Sequence, residues 1–420
     1  MSEEKKVVIN RLTSSKMQGV LLQKYWNEVC HAHDDGKLLA FTTYFPFFEM
    51  LRAMDIRYVQ DENYGAYLLA KRMSEEPIRR FEEEYDIELC SYMKAADGAV
   101  FYRDIEMPEN SVIPIPDFLV CMPLCGMQTK QIEEFERRYH IPAFYFDIPG
   151  AFTESRQELE EQIPYVRKQL YEYAEFLSDM AHKPFDWEAL KVAVANTKKN
   201  SMLWAQSIQK ARHIPTPISW FDSIMNIFCT NVMQGSEEPQ PYLTALNQEL
   251  DERIAKKIGT IPNEKYRIMW DFNVMFSKVS WLAKLFASHD AAMVIGPWIQ
   301  SPHRYRWELL NPEEPISSLA YDILTIYPAH TRKWMAEFVR NLVSEYAIDG
   351  IVLMSPRTCR FLSCGMMLEE QLLRESVDIP VLHFEGDIGD EKLWSNAAIE
   401  TRVDAFMEEV AHSKEKRSKA

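Results

Sequence analysis

Two short apolar runs, each opened by an acid and followed by a proline and a cysteine, restrict this chain more than any other feature. The first is Asp117-Phe118-Leu119-Val120-Cys121-Met122-Pro123-Leu124-Cys125; the second, far downstream, is Asp349-Gly350-Ile351-Val352-Leu353-Met354-Ser355-Pro356-Arg357-Thr358-Cys359. Runs of roughly four to eight apolar residues between turn signals read as buried strands of a parallel sheet, which presents its working groups just beyond the carboxyl ends of its strands. Both runs therefore predict a strand that delivers a thiol to the edge where ligands bind.

The rest of the chain supplies neighbours for those strands. Leu38 to Thr43 and Ile56 to Val59 read as strands flanking a helix from Phe45-Pro46 to about Met54, and Pro142 to Asp147 reads as a strand after the first cysteine. A lead-in arm over residues 7 to 35 is expected to be helical. From Thr153 to about Lys257, Leu159, Ile163, Val166, Leu170, Tyr173, Leu177 and Met180 step by three or four residues, which predicts helices broken at Pro184, Pro215 and Pro217. Strand patterns return at Tyr266 to Val274, Ala291 to Trp298, Asp349 to Met354 and Ile379 to Glu385. The expected architecture is α/β: two doubly wound parallel sheets with a helical insertion between them. It divides into an arm and first α/β domain over 1–152, a helical segment over 153–263 and a second α/β domain over 264–420. The two α/β segments repeat one order of elements, and His140-Ile141-Pro142 through Asp147 matches Asp378-Ile379-Pro380 through Asp387, as in an internal duplication. The basic tail, Ser413 to Ala420, reads as a solvated helix end.

Charge and missing motifs remove several function classes. With 63 acidic and 47 basic residues the net charge is −16, so a phosphate backbone is repelled and no nucleic-acid partner is expected. No apolar run reaches about 18 residues, and Ser2-Glu3-Glu4-Lys5-Lys6 carries no apolar signal core, so no membrane association and a cytoplasmic location are expected. The seven cysteines, an odd number at low density, suit a reducing compartment. Glycine-rich phosphate loops, Gly-x-Ser-x-Gly, His-Glu-x-x-His and Cys-x-x-Cys are all missing, which takes away the usual nucleotide, hydrolase, zinc-protease and thioredoxin readings.

What remains is thiols at element ends: Cys90, Cys125 and Cys359, with Cys121 and Cys364 close by. Such thiolates suit a soft metal or an iron-sulfur cluster; the plainer role of a cysteine is that of a small buried hydrophobe, which is the expectation for Cys30, Cys121 and Cys229. Among the acids, Glu62, Asp147, Glu385 and Asp387 follow strands, where a general base or a supporting partner can stand, although helix capping explains Asp147 and Asp387 more simply. His31, His33 and His140 read as surface or hydrogen-bonded groups.

Taken together, these segments resemble the family of 2-hydroxyacyl-CoA dehydratases and the related ATP-dependent benzoyl-CoA reductase subunits. The resemblance runs over nearly the whole chain. It is carried by Asp61-Glu62-Asn63, Leu89-Cys90-Ser91-Tyr92, Pro114-Ile115-Pro116-Asp117 leading to Cys125, and Ile141-Pro142 to Asp147-Ile148-Pro149. Further matches are Pro215-Thr216-Pro217, Glu264-Lys265-Tyr266-Arg267-Ile268, Asp349-Gly350 leading to Arg357-Thr358-Cys359, and Ile379-Pro380 to Glu385-Gly386-Asp387 with Thr401-Arg402. The resemblance implies two flavodoxin-like domains and a 4Fe-4S cluster on Cys90, Cys125 and Cys359 with one iron position open. It also implies a homologous second subunit, an ATP-dependent iron-sulfur activator protein that injects one electron, and an acyl-CoA substrate touched by Thr43 and Glu62. The chain departs from the dehydratase pattern in two places: Thr42-Thr43-Tyr44-Phe45-Pro46 stands where a serine-rich turn is usual, and Asp271 is followed by Phe272 rather than glycine. Three activities stay open on this basis: elimination of water from a 2-hydroxyacyl-CoA, reduction of an aromatic acyl-CoA, or electron relay in a partner subunit that does no chemistry.

Overall fold

Eight strands alternate with helices in the computed structural model, which describes residues 7–149, 156–300, 307–327 and 330–419. In the first lobe β1 (Leu39–Thr42), β2 (Arg57–Gln60), β3 (Phe118–Cys121) and β4 (Ala143–Tyr145) form an all-parallel sheet in the order β2-β1-β3-β4. In the second, β5 (Tyr266–Asp271), β6 (Ala291–Ile295), β7 (Gly350–Pro356) and β8 (Val381–Gly386) form another, in the order β6-β5-β7-β8. Strands such as β1, β3 and β6 are buried along their whole length, which is why they read as continuous apolar runs: helices cover both faces of each sheet.

The acid opening each cysteine-ended run closes its sheet. An Asp117 carboxylate oxygen accepts the Leu39 amide at 2.7 Å, at the start of β1, and an Asp349 oxygen accepts the Arg267 amide at 3.0 Å, near the start of β5. The Ile-Pro pairs also do the same work twice. Leu119 donates its amide to Pro142 O at 2.9 Å and Ile351 to Pro380 O at 3.0 Å, so each proline lends a carbonyl at the mouth of an edge strand, where its lack of an N–H costs nothing. The two sheets are thus wired alike down to single hydrogen bonds.

Several expected boundaries move, each for a backbone reason. The first helix of the first lobe starts at Phe48 and not at Phe45-Pro46, because Phe45 and Phe47 have φ of 53° and 55°, in the left-handed region that a helix cannot use. β5 stops at Asp271 rather than running to Val274, because Phe272 turns the chain with φ 67°. A phenylalanine performs here the turn for which a glycine is usual. Its ring is held against Tyr327, with centroids 5.9 Å apart, and under Arg332, whose guanidinium carbon lies 5.2 Å from the ring centre. β6 ends at Ile295, where any Cβ on Gly296 would lie 2.1 Å from Trp270 O.

Between the lobes runs the helical block, with helices Arg156–Ala181, Trp187–Gln209, Trp220–Asn226, Phe228–Asn231 and Pro239–Ala255. Asp186 caps the second of these by accepting the Ala189 amide at 2.9 Å. The expected start of the block at Thr153 and the charged stretch Ser2 to Lys6 lie outside the described residues. The arm contributes the helix Ser15–Cys30. Among the described residues no helix is long and apolar enough to cross a membrane.

The basic tail is more than a solvated end. It finishes the helix Asn396–Lys419 and docks on the start of β7: Lys414 Nζ reaches Asp349 and the Lys265 carbonyl, both at 2.7 Å, and Arg417 reaches the other Asp349 oxygen at 3.1 Å. One carboxylate therefore ties a sheet edge to the last helix. Asp349→Ala is expected to cost about 1–3 kcal/mol, read from the urea midpoint, and to speed amide exchange at the end of the last helix before that of the sheets. Unchanged exchange there would dismiss this role.

Candidate active site

Cys90, Cys125 and Cys359 each sit immediately before a helix, preceding Ser91–Phe101, Gly126–Tyr139 and Arg360–Ser363 respectively. Cys125 and Cys359 follow β3 and β7, the strands at which each sheet changes its direction of winding; chain crossings diverge there and leave a crevice. Helices put the thiols on that edge because each chain turns from extended into helical geometry at the cysteine itself. All three line one cavity of about 380 Å³ in the seam between the lobes.

Glu62, in the first turn of the helix Asp61–Ala70 after β2, joins them on the wall. From the second lobe come Asn273, Trp298, Thr358, Phe361 and Ile388. Burial pushes the Cys125 thiol up to about 12, with the charge of Glu62 adding to it and the Gln128 amide opposing. The Cys90 thiol is held well above its ordinary value, first by burial and then by the proximity of Cys359; that of Cys359 is raised by burial, against the pull of the Leu362 amide. Mutual influence of this kind means that the three sulfurs share one electrostatic environment. Among the described residues, however, no three His, Cys, Asp or Glu side chains stand close enough to hold a metal ion.

A buried carboxylate fixes two of the thiols relative to each other. Asp387, just past β8, accepts the Ser91 hydroxyl at 2.6 Å on one oxygen, and the Thr358 amide and hydroxyl at 3.0 and 2.7 Å on the other. The amides of Gly389 and Asp390 complete its shell at 2.9 and 2.8 Å. The Ser91 amide also donates to the Thr358 hydroxyl oxygen, at 3.2 Å, and these two residues stand next to Cys90 and Cys359. Close by, buried Lys94 bridges Glu82 at 2.7 Å and Asp390 at 3.3 Å, again from one lobe to the other.

The other candidates fall elsewhere. Thr43 is not among the lining residues: its hydroxyl accepts the Met122 amide at 2.6 Å and lies 3.1 Å from the Met122 carbonyl, tying β1 to β3, and the cavity wall takes Tyr44 instead. Asp147 accepts the Tyr165 hydroxyl at 2.6 Å, Glu385 is exposed, Cys121 is buried and Cys364 faces solvent; none of them lines the cavity. His33 bonds Asp117 at 3.0 Å. Sequence reasoning missed Tyr44, Tyr92 and Trp298 on the wall. Position offered a signal for two of them, since Tyr44 and Trp298 lie in the turns just beyond β1 and β6. Tyr92 is almost wholly buried, and its hydroxyl has no hydrogen-bond partner. A second hollow in the seam, of about 430 Å³, holds Arg72, Lys278 and Lys392 but no thiol, and Lys278 and Lys392 are engaged with Glu391 and Glu82 at 3.1 and 2.7 Å.

A family model described as 2-hydroxyglutaryl-CoA dehydratase, D-component, matches residues 42–410. The chain is 25% identical over 415 residues, 97% of either chain, to the (R)-2-hydroxyisocaproyl-CoA dehydratase alpha subunit of Clostridioides difficile. To a benzoyl-CoA reductase subunit of Thauera aromatica it is 24% identical over 340 residues, 77% of each chain. To the (R)-phenyllactyl-CoA dehydratase alpha subunit of Clostridium sporogenes it is 21% identical over 375 residues, 87% of this chain and 88% of the other.

Replacing Asp387 by Asn sets an amide donor against hydroxyl and amide donors. The D387N chain is expected to lose about 2–4 kcal/mol in denaturant titration and, while still folded, to show faster alkylation of Cys90 and Cys359 than of Cys125 relative to the parent. Equal acceleration at all three thiols, or none, would argue against a clamp specific to that pair.

Proposed function

The chain belongs to the 2-hydroxyglutaryl-CoA dehydratase D-component family, and from this membership we propose that it is the iron-sulfur subunit of a 2-hydroxyacyl-CoA dehydratase, eliminating water from an acyl thioester. One observation carries the proposal: three thiols and a carboxylate, drawn from both lobes, face a single cavity whose remaining wall is largely apolar.

The donor set fits a 4Fe-4S cluster. Three soft sulfur donors on the wall of one cavity are the ligand type such a cluster takes. Cys90, Cys125 and Cys359 would hold it, leaving one iron without a cysteine. When bound, such a cluster would supply one low-potential electron, received from an ATP-dependent activator, for a reaction that removes the 2-hydroxyl together with a proton from the neighbouring carbon as water and returns the electron at its end, since the elimination is redox-neutral. The protein's own part is positional and electrostatic. The Asp387 node holds the Cys90 and Cys359 turns together, Glu62 stands on the wall as the proton acceptor, and the apolar lining keeps bulk water from the reacting thioester. The relatives are named as single subunits of larger enzymes, which supports a homologous second subunit as partner. Seven free cysteines fit a reducing, cytoplasmic setting.

One observation favours the reductase reading as a second choice. The Thr43 hydroxyl, expected near the substrate hydroxyl, is spent on Met122. Subunits of aromatic acyl-CoA reductases have no 2-hydroxyl to recognise.

Anaerobic purification and reconstitution should give close to four irons and four sulfides per chain, and fewer than about three irons would remove the basis for the cluster. Cys125→Ser should lose the iron and its charge-transfer absorption while keeping the parent's far-ultraviolet dichroism. Incubated with activator and ATP, the assembled enzyme is expected to dehydrate 2-hydroxyacyl-CoA thioesters and leave benzoyl-CoA untouched; the reverse preference would make it a reductase.

A further inference from the structure

The cavity wall also bears on which acyl group enters. Its apolar part is built from Tyr44, Leu124, Met127, Trp298, Phe361 and Leu362. Tyr44 from the first lobe and Trp298 from the second stack with centroids 5.6 Å apart and planes at 24°, so the hydrocarbon surface is continuous across the seam. The Phe361-Leu362 side is braced from behind. Arg332 donates to both of their carbonyl oxygens, at 3.1 and 2.7 Å, and is itself held by the fully buried Glu369 at 2.9 Å. Gly365 makes room for that arginine, since a Cβ there would lie 2.2 Å from its Nε. This wall is therefore preformed rather than adaptable.

The polar groups on the wall offer no buried charge to a charged acyl end, although the Asn273 side chain and the Tyr92 hydroxyl are neutral polar groups among them. The Gln128 side-chain oxygen accepts the Cys125 amide at 3.2 Å, and the Thr358 hydroxyl is committed to Asp387. Among the described lining residues the one cation is Arg360, whose side chain is 66% exposed and 3.7 Å from Glu88. A second carboxylate on the acyl chain would lose its hydration beside Glu62 with no buried counter-ion, and a short chain would leave the aromatic wall uncovered.

Resting on the acyl-thioester function above, we propose that the substrate's acyl group is a branched aliphatic or aromatic hydrocarbon, and neither a dicarboxylate nor a two- or three-carbon chain. The full chain, purified anaerobically with the subunit that accompanies it, is titrated calorimetrically with four unreactive thioesters: isocaproyl-CoA, 3-phenylpropionyl-CoA, glutaryl-CoA and propionyl-CoA, with CoA as reference. The first two are expected to bind about tenfold or more tightly than the last two. F361R should narrow or reverse the gap by favouring glutaryl-CoA, whereas F361L, which keeps the wall apolar, should retain the ranking and show that the position tolerates change. Glutaryl-CoA or propionyl-CoA binding as tightly as isocaproyl-CoA, or a ranking that F361R leaves untouched, overturns the assignment of the acyl class. In that case a full complement of iron and sulfide leaves the dehydratase function standing. If no thioester binds better than CoA, the acyl-CoA function falls with it.

Discussion

The Asp387 carboxylate is the contact on which the site depends. It lies at the end of the last strand, is fully buried, and receives donors from the two cysteine-bearing turns of opposite lobes as well as from its own loop. Hydrogen bonds to a charged acceptor contribute roughly 1.5–3 kcal/mol each when isolated and are not additive, so the node outweighs any surface ion pair in the molecule. A buried charge of this kind is tolerated because both of its oxygens are saturated. Remove it, and Ser91 and Thr358 have only each other.

The two lobes share a wiring plan yet use it differently at equivalent places. At the end of β1 the chain turns through threonines and aromatic residues and opens onto the cavity. At the end of β5 the corresponding turn is filled by Phe272 and gives the cavity Asn273 alone, while Asp271 faces Glu369 beside Arg332. Burial, followed by the charge of Glu369, pushes the Asp271 carboxyl well above the ordinary range. The Glu369 carboxyl is raised as well, by its burial, with the Asp271 hydrogen bond and the Arg332 charge pulling it back. The second lobe has turned the crevice at its sheet switch into a brace for the shared one.

How much of this could be read beforehand follows from where the information is stored. All eight strands are legible as short apolar runs between turn signals: β1, β3 and β6 because they are buried throughout and carry no alternation, the partly exposed edge strands β4 and β8 because an Ile-Pro pair opens each. The three thiols and Glu62 were visible because each lies one step beyond a strand or at the start of a helix. Thr43 was misplaced relative to the cavity for the opposite reason: a residue beyond a strand end can turn its hydroxyl back into the ladder, and no local pattern distinguishes the two orientations. The turns at Phe45, Phe47 and Phe272 escaped because left-handed backbone at bulky residues runs against local preference and is held only by tertiary packing. Asp387 and the tail's grip on Asp349 are long-range pairings. A single chain shows the acid and the base, but not that they meet.

The address of the clamp along the polymer has a consequence for biogenesis. Its acid is encoded just past the last strand, β8, whereas the first thiol it steadies comes well before β3. During synthesis the first lobe can fold as it leaves the ribosome, but its half of the cavity waits open until the final strand emerges and docks. A chain cut short before β8 therefore lacks the acid that joins the Cys90 and Cys359 turns, and the cavity has both of its walls only in the finished polypeptide.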